Sequence, residues 1–202
     1  MERLWSAVRR WGQVMLGRFL GQLLKGRRAG EHRLAWHHPA VSAAPAVLEL
    51  RCENFNDGQS IPVAHAGSGV GANRSPGLAW QNVPPGTQEL VLIVEDADAP
   101  LPRPFVHLVA TGIRPTSLGL PESALNDATN AYASLGRNSF GKAVYAGPRA
   151  LPGHGPHRYS FQLLALNRAL LFSRPPTLRE VLDRLDGAVL ARGRLDGVFE
   201  RF

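Results

Sequence analysis

A chain of 202 residues with 44% hydrophobic and 19% charged side chains has the size and balance of one globular domain plus an extension. No apolar run approaches the ~20 residues of a membrane-spanning helix, and the single cysteine, Cys52, has no partner for an internal disulfide or a zinc site. The formal charge of +7 does not imply nucleic acid, because residues 1–33 hold eight basic side chains against Glu2 and Glu31, leaving 15 basic against 14 acidic elsewhere.

Residues 1–26 are predicted to form a basic amphipathic helix. At ~100° per residue, Leu4, Trp5, Val8, Trp11, Met15, Leu16, Phe19 and Leu23 share one face, with Arg9 and Arg10 opposite. Two tryptophans beside arginines suit an anionic membrane surface, and packing on the protein's own domain or on a second copy in a homodimer suits the same face. The arginines interrupt any signal-peptide core. The expected location is therefore the cytoplasm, with peripheral membrane attachment open and the periplasm second.

Residues 27–46, where Arg27, Arg28 and Gly30 give way to Pro39, Ser42, Ala43, Ala44 and Pro45, read as a linker, so that residues 47–202 should fold alone. His32, His37 and His38 lie in it without the carboxylates or thiols of a metal tract, and no metal or cofactor is expected.

From residue 47 short apolar runs alternate with turns, which predicts a mainly β, antiparallel sandwich. Strands are expected at 47–52, around Leu78–Trp80, at 89–96, at 157–166 and at 195–199. A helix is expected at 177–185, where Thr177 and Glu180 have capping-box spacing, with a short helical turn at 187–190.

Two stretches carry chemistry. The apolar run from Leu90 to Val94 ends in Glu95, Asp96, Ala97, Asp98, Ala99 and Pro100, which places acids at a strand-to-loop corner. Asp96 and Asp98 point the same way in extended chain, as do Phe105, His107 and Val109 on the following run. Later, Gly147 and Pro148 open a loop that ends in a strand with His157, Tyr159, Phe161 and Leu163 on one face. Taken alone, the aspartates read first as turn residues and His107 as a satisfied core residue.

Ser75-Pro76 with Trp80, the Asp96 to Pro100 corner with His107, and Gly147-Pro148 with His157-Arg158-Tyr159 together resemble the phosphatidylethanolamine-binding protein family. The resemblance covers about residues 47–202 and is closest to the bacterial YbhB/YbcL-like branch, through Arg137 to Gly141 and Leu195 to Phe199. It implies a β-sandwich with a C-terminal helix and one small anion pocket lined by Asp96, Asp98, Pro100, His107, Gly147, Pro148, His157 and Tyr159. Imidazoles, the Tyr159 hydroxyl and the Gly147 N–H suit phosphate oxygens, and an aspartate suits an ammonium group. Arg149 stands where the family usually has proline and Phe105 where it has tryptophan; a loop arginine is expected to face solvent.

The expected function is binding of a phosphorylated ligand or phospholipid head group, with a kinase or protease as a conceivable protein partner. The rival is an acid/base hydrolase using the Asp, His and Tyr side chains, although no G-x-S-x-G or H-E-x-x-H motif is present. A third reading is a membrane-tethered scaffold with a vestigial pocket.

Overall fold

The computed structural model describes residues 16–202. Most of the predicted amphipathic helix lies outside the described residues; of it, residues 16–23 are helical (α1). Two antiparallel sheets form the body. The smaller joins β1 (Glu49–Cys52), β2 (Leu78–Gln81) and β5 (Gly119–Leu120). The larger runs in the order β6-β4-β3-β7-β8, with β3 at Glu89–Asp96, β4 at Phe105–Ile113, β6 at Ser134–Leu135, β7 at His157–Leu166 and β8 at Val189–Phe199.

β3 is the central strand and every residue of it is buried. Its alternation divides the core. Leu90, Leu92 and Val94 face the smaller sheet and pack with Leu50, Trp80, Leu108, Phe161 and Leu163. Val91 and Ile93 face the other way, toward Val109, Leu164, Ala35, Val41 and Val181. Both faces are covered, which is why the strand reads as a continuous apolar run rather than an alternating one.

The cover on the second face differs from expectation. Residues 27–46 are not a solvated linker: they form 3-10 turns at Glu31–Arg33 and Ala35–His37 and a short helix, α2 (Pro39–Ser42). Leu34, Ala35 and Val41 are buried. The segment is pinned by Ala29 N–H donating to Ala99 O (2.9 Å), Gly30 N–H to Ala97 O (3.0 Å) and Ala35 N–H to Glu95 Oε2 (2.8 Å). A few small apolar anchors among polar residues suffice to dock a chain whose composition looks like a spacer.

At the C-terminal end, Thr177 caps α3 (Leu178–Leu182) in the expected capping box with Glu180. In place of the predicted helical turn at 187–190, a turn through Ala188 leads into β8 at Val189, which pairs with β7 along its length. Its inward residues Ala191, Gly193, Leu195, Gly197 and Phe199 alternate with half-exposed ones. Two glycines among the inward positions hid that period; at Gly193 a Cβ would sit 2.3 Å from Leu48 O, so the close approach of the backbone just before β1 excludes a side chain there.

Candidate functional site

The acid corner at the end of β3 is a network of committed carboxylates. Asp96 Oδ1 accepts from the backbone N–H of Asp98 (2.8 Å) and Ala99 (2.9 Å), a turn that holds the 96–100 loop. Asp96 Oδ2 meets His157 Nδ1 at 2.7 Å, and both side chains are buried. Asp98 turns away: Oδ1 pairs with Arg28 Nη1 at 2.7 Å and Oδ2 accepts from Arg158 N–H at 2.7 Å.

His157 continues the network. Its Nε2 lies 2.8 Å from Nδ1 of His154, whose Nε2 lies 3.0 Å from the carbonyl oxygens of both Leu24 and Arg27. Carbonyls only accept, so His154 Nε2 carries a hydrogen; a carboxylate also accepts, so His157 Nδ1 carries another. The contact between the rings holds a third. Three hydrogens on four ring nitrogens give the pair one positive charge, matched by Asp96. Moving that proton onto Asp96 leaves the sum unchanged. The chain from Asp96 to the turn after α1 is thus charge-balanced and uses both nitrogens of His157.

His107 reaches the same place through an irregularity. Glu95 pairs with Val106 but Val94 pairs with Leu108, so His107 is the extra residue of a bulge in β4. Val106 and Val109 face the second core and Leu108 the first. Phe105 and His107 do share a face, with ring centroids 4.9 Å apart, but the bulge puts Val109 on the other and aims the imidazole at Tyr159, with ring centroids 5.0 Å apart. Nδ1 of His107 sits 2.5 Å from Ala146 O, which makes that nitrogen the donor and leaves Nε2 uncommitted. Burial pushes the His107 pKa below the ordinary imidazole value, against the opposing pull of the Asp96 charge. Burial, reinforced by Asp96, pushes Tyr159 well up, so its hydroxyl stays a donor.

These groups enclose a cavity of about 220 Å³. Of the eight residues assigned from sequence, Asp96, Pro100, His107, His157 and Tyr159 line it. Asp98, Gly147 and Pro148 do not. Gly147 N–H is spent on Asn73 Oδ1 (2.8 Å), a Cβ on Gly147 would lie 2.1 Å from His65 O, and Pro148 O accepts from Gly67 N–H. Those two residues anchor the loop that presents Ala146 to His107 and Arg149 to the cavity. Arg149 is solvent-exposed, as expected, and at the same time lines the mouth, with Phe105, Phe140 and Leu101 as apolar rim. Sequence reasoning also missed His154, whose only signal was its place three residues before His157, and Asn73, which holds φ 55° while bonding both Tyr145 O and Gly147 N–H. Among the described residues no group of three His, Cys, Asp or Glu is placed to hold a metal ion.

The phosphatidylethanolamine-binding protein family model matches residues 52–200. The chain belongs to this family. It falls in the bacterial YbhB/YbcL branch. It is 33% identical over 161 residues to the UPF0098 protein of Aquifex aeolicus, covering 79% of this chain and 92% of the relative. Against the Escherichia coli UPF0098 protein YbcL it is 34% identical over 131 residues, 62% of this chain and 72% of YbcL. The crystal structure of E. coli YbcL superposes with a TM-score of 0.72 at 29% identity, covering 78% of this chain and all of YbcL. Family membership brings small-anion binding as the general property of the fold. Residues 16–51, including the Leu24 and Arg27 carbonyls that meet His154 and the Arg28 that pairs with Asp98, precede the matched region.

Proposed function

We propose that the cavity binds the phosphate of a small phosphorylated ligand or phospholipid head group, and that the protein acts as a binding protein. The observation that carries the reading is the division of charge at the site. Asp96 is matched by the His154–His157 pair and Asp98 by Arg28 and Arg158, whereas Arg149, the Tyr159 hydroxyl and His107 Nε2 remain for a guest. A guanidinium, a phenol and a chargeable imidazole around one small cavity suit three phosphate oxygens. Both Asp96 oxygens already accept hydrogen bonds, so an ammonium group gains no free carboxylate inside. Discrimination among head groups is accordingly expected to be slight. Titration of phosphoethanolamine and methyl phosphate into the labelled protein should shift the His107 imidazole signals with affinities within about threefold of each other, and Arg149→Ala should weaken both about tenfold, the worth of one charge-assisted hydrogen bond. A His107 signal indifferent to both ligands at saturating millimolar concentration would remove the assignment.

A membrane source for the phosphate is favoured by α1. Its Gly17 and Gly21 pack on the Pro152 loop, while Leu16, Phe19 and Leu23 are 60–67% exposed. No helix of the described residues is long and apolar enough to cross a bilayer; an exposed apolar face beside arginines suits lying on one.

A further inference from the structure

β3 alternates, so as Asp96 opens toward one cavity its neighbour Glu95 opens toward another. That second cavity, about 700 Å³, lies between the 33–38 segment, the start of β4, the 137–139 loop and α3. It is the larger of the two and falls within the range of small-molecule sites, roughly 300–1,000 Å³. It shares no lining residue with the first.

Its walls are cationic and greasy. Arg33, Arg103, Arg137 and Arg179 face it against two acids, Glu95 and Asp183. The arginines are poorly matched. Arg179 Nε is 3.9 Å from Asp183, and Arg137 Nη2 is 3.7 Å from Glu180, a carboxylate already engaged by Thr177 and Arg174. Arg103 has no acidic partner among the described residues, and Arg137 Nε is buried without an acceptor among them. Between these groups Pro104, Val106, Leu178 and Leu182 supply an apolar wall. A concave surface with low-dielectric walls focuses the arginine field far more than a convex one would. Glu95 takes little from that field. Its Oε2 accepts from Ala35 N–H and from Gln162 Nε2 (2.9 Å), and burial pushes the carboxyl pKa up.

We propose that this cavity is a second binding site, for an organic anion that carries a carboxylate or phosphate monoester on an apolar body about the size of one ring. The anionic group lies among Arg103, Arg137 and Arg179, and the body rests on Val106, Leu178 and Leu182. Arg33 and His38 close the site from a segment that precedes residue 52, where the family match begins, so one wall of this cavity comes from the chain's own extension and the rest from the matched domain.

Phenyl phosphate titrated into the full-length, isotope-labelled protein tests the site. The expected result is saturable movement of the Val106, Ser139 and Leu178 amides, absent with phenol. Affinity should fall about tenfold in Arg103→Ala and in Arg179→Ala, both solvent-exposed positions whose replacement leaves the core intact. Arg149→Ala, in the other cavity, should leave these movements in place. Shifts confined to the first cavity, shifts that fail to saturate, or affinities unmoved by both arginine substitutions would each overturn the proposal.

Discussion

Removing residues 1–46 tests whether the extension is part of the folded body. Leu34 and Val41 are 1% and 0% exposed, and full burial of such side chains contributes about 1.5–3 kcal/mol each. The cut also takes the Ala35 N–H from Glu95 Oε2, which keeps Gln162 Nε2 as a donor, so that loss costs about 0.5–1.5 kcal/mol. The total, about 3.5–7.5 kcal/mol, is a large share of the stability of an ordinary domain, about 5–15 kcal/mol. At roughly 2–4 °C per kcal/mol for a chain of this size, a fragment starting at residue 47 should melt at least about 7 °C below the full chain or aggregate. Thermal unfolding followed by circular dichroism reads this directly, with a fragment starting at residue 27 as the control that removes α1 but keeps the packed turns. If the 47–202 fragment melts cooperatively within about 3 °C of the full chain, the packing argument is wrong and the segment is a linker after all.

His154→Ala should lower stability by about 2–4 kcal/mol, since it orphans His157 Nε2 and the Leu24 and Arg27 carbonyls, and should broaden or shift the amides of residues 24–30; an unchanged melting curve would show that the histidine chain carries no strength. His107 makes stability depend on pH in a definite direction. Its folded pKa lies below the unfolded value near 6.5, so the unfolded chain binds more protons beneath that pH, and stability present above it is lost as pH falls. An anion in the cavity favours the imidazolium, so sulfate, whose own charge stays constant here, should bind more tightly as pH drops through His107's range; affinity independent of pH would exclude His107 from contact. Replacing Leu16, Phe19 and Leu23 by serine should sharply reduce co-sedimentation with anionic vesicles while every basic residue is retained, whereas equal recovery would leave α1 without a lipid role.

What was legible in the sequence was what local rules decide. The run from Leu90 to Val94 announced β3, and the Thr177–Glu180 spacing announced the cap of α3, because strand burial and capping depend on adjacent residues. The bulge at His107 was not legible: it is a register offset between β3 and β4, and nothing in 105–109 itself breaks the alternation. His154 was hidden for a related reason, as its carbonyl partners lie some 130 residues earlier in a stretch whose composition suggested a spacer. Gly147 and Pro148 were assigned to the cavity through the family pattern, yet the same residues are explained by loop anchoring. A motif marks a place in the fold and leaves open which of its atoms face the guest.

β3 is the partition between the two cavities, and the extension is their shared outer support. Residues 24–30 hold the first through His154, Asp98 and the carbonyls of Ala97 and Ala99, while Arg33 and His38 wall the second and Ala35 binds the carboxylate on its floor. Both sets are joined by a few residues of continuous backbone with buried anchors at Ala29, Leu34 and Ala35. A substitution that loosens these anchors should therefore disturb the amides around both cavities together. The family domain supplies the sheet and the acid corner; what this chain adds is a strap before residue 52 that makes the geometry of each site depend on whether the strap is in place.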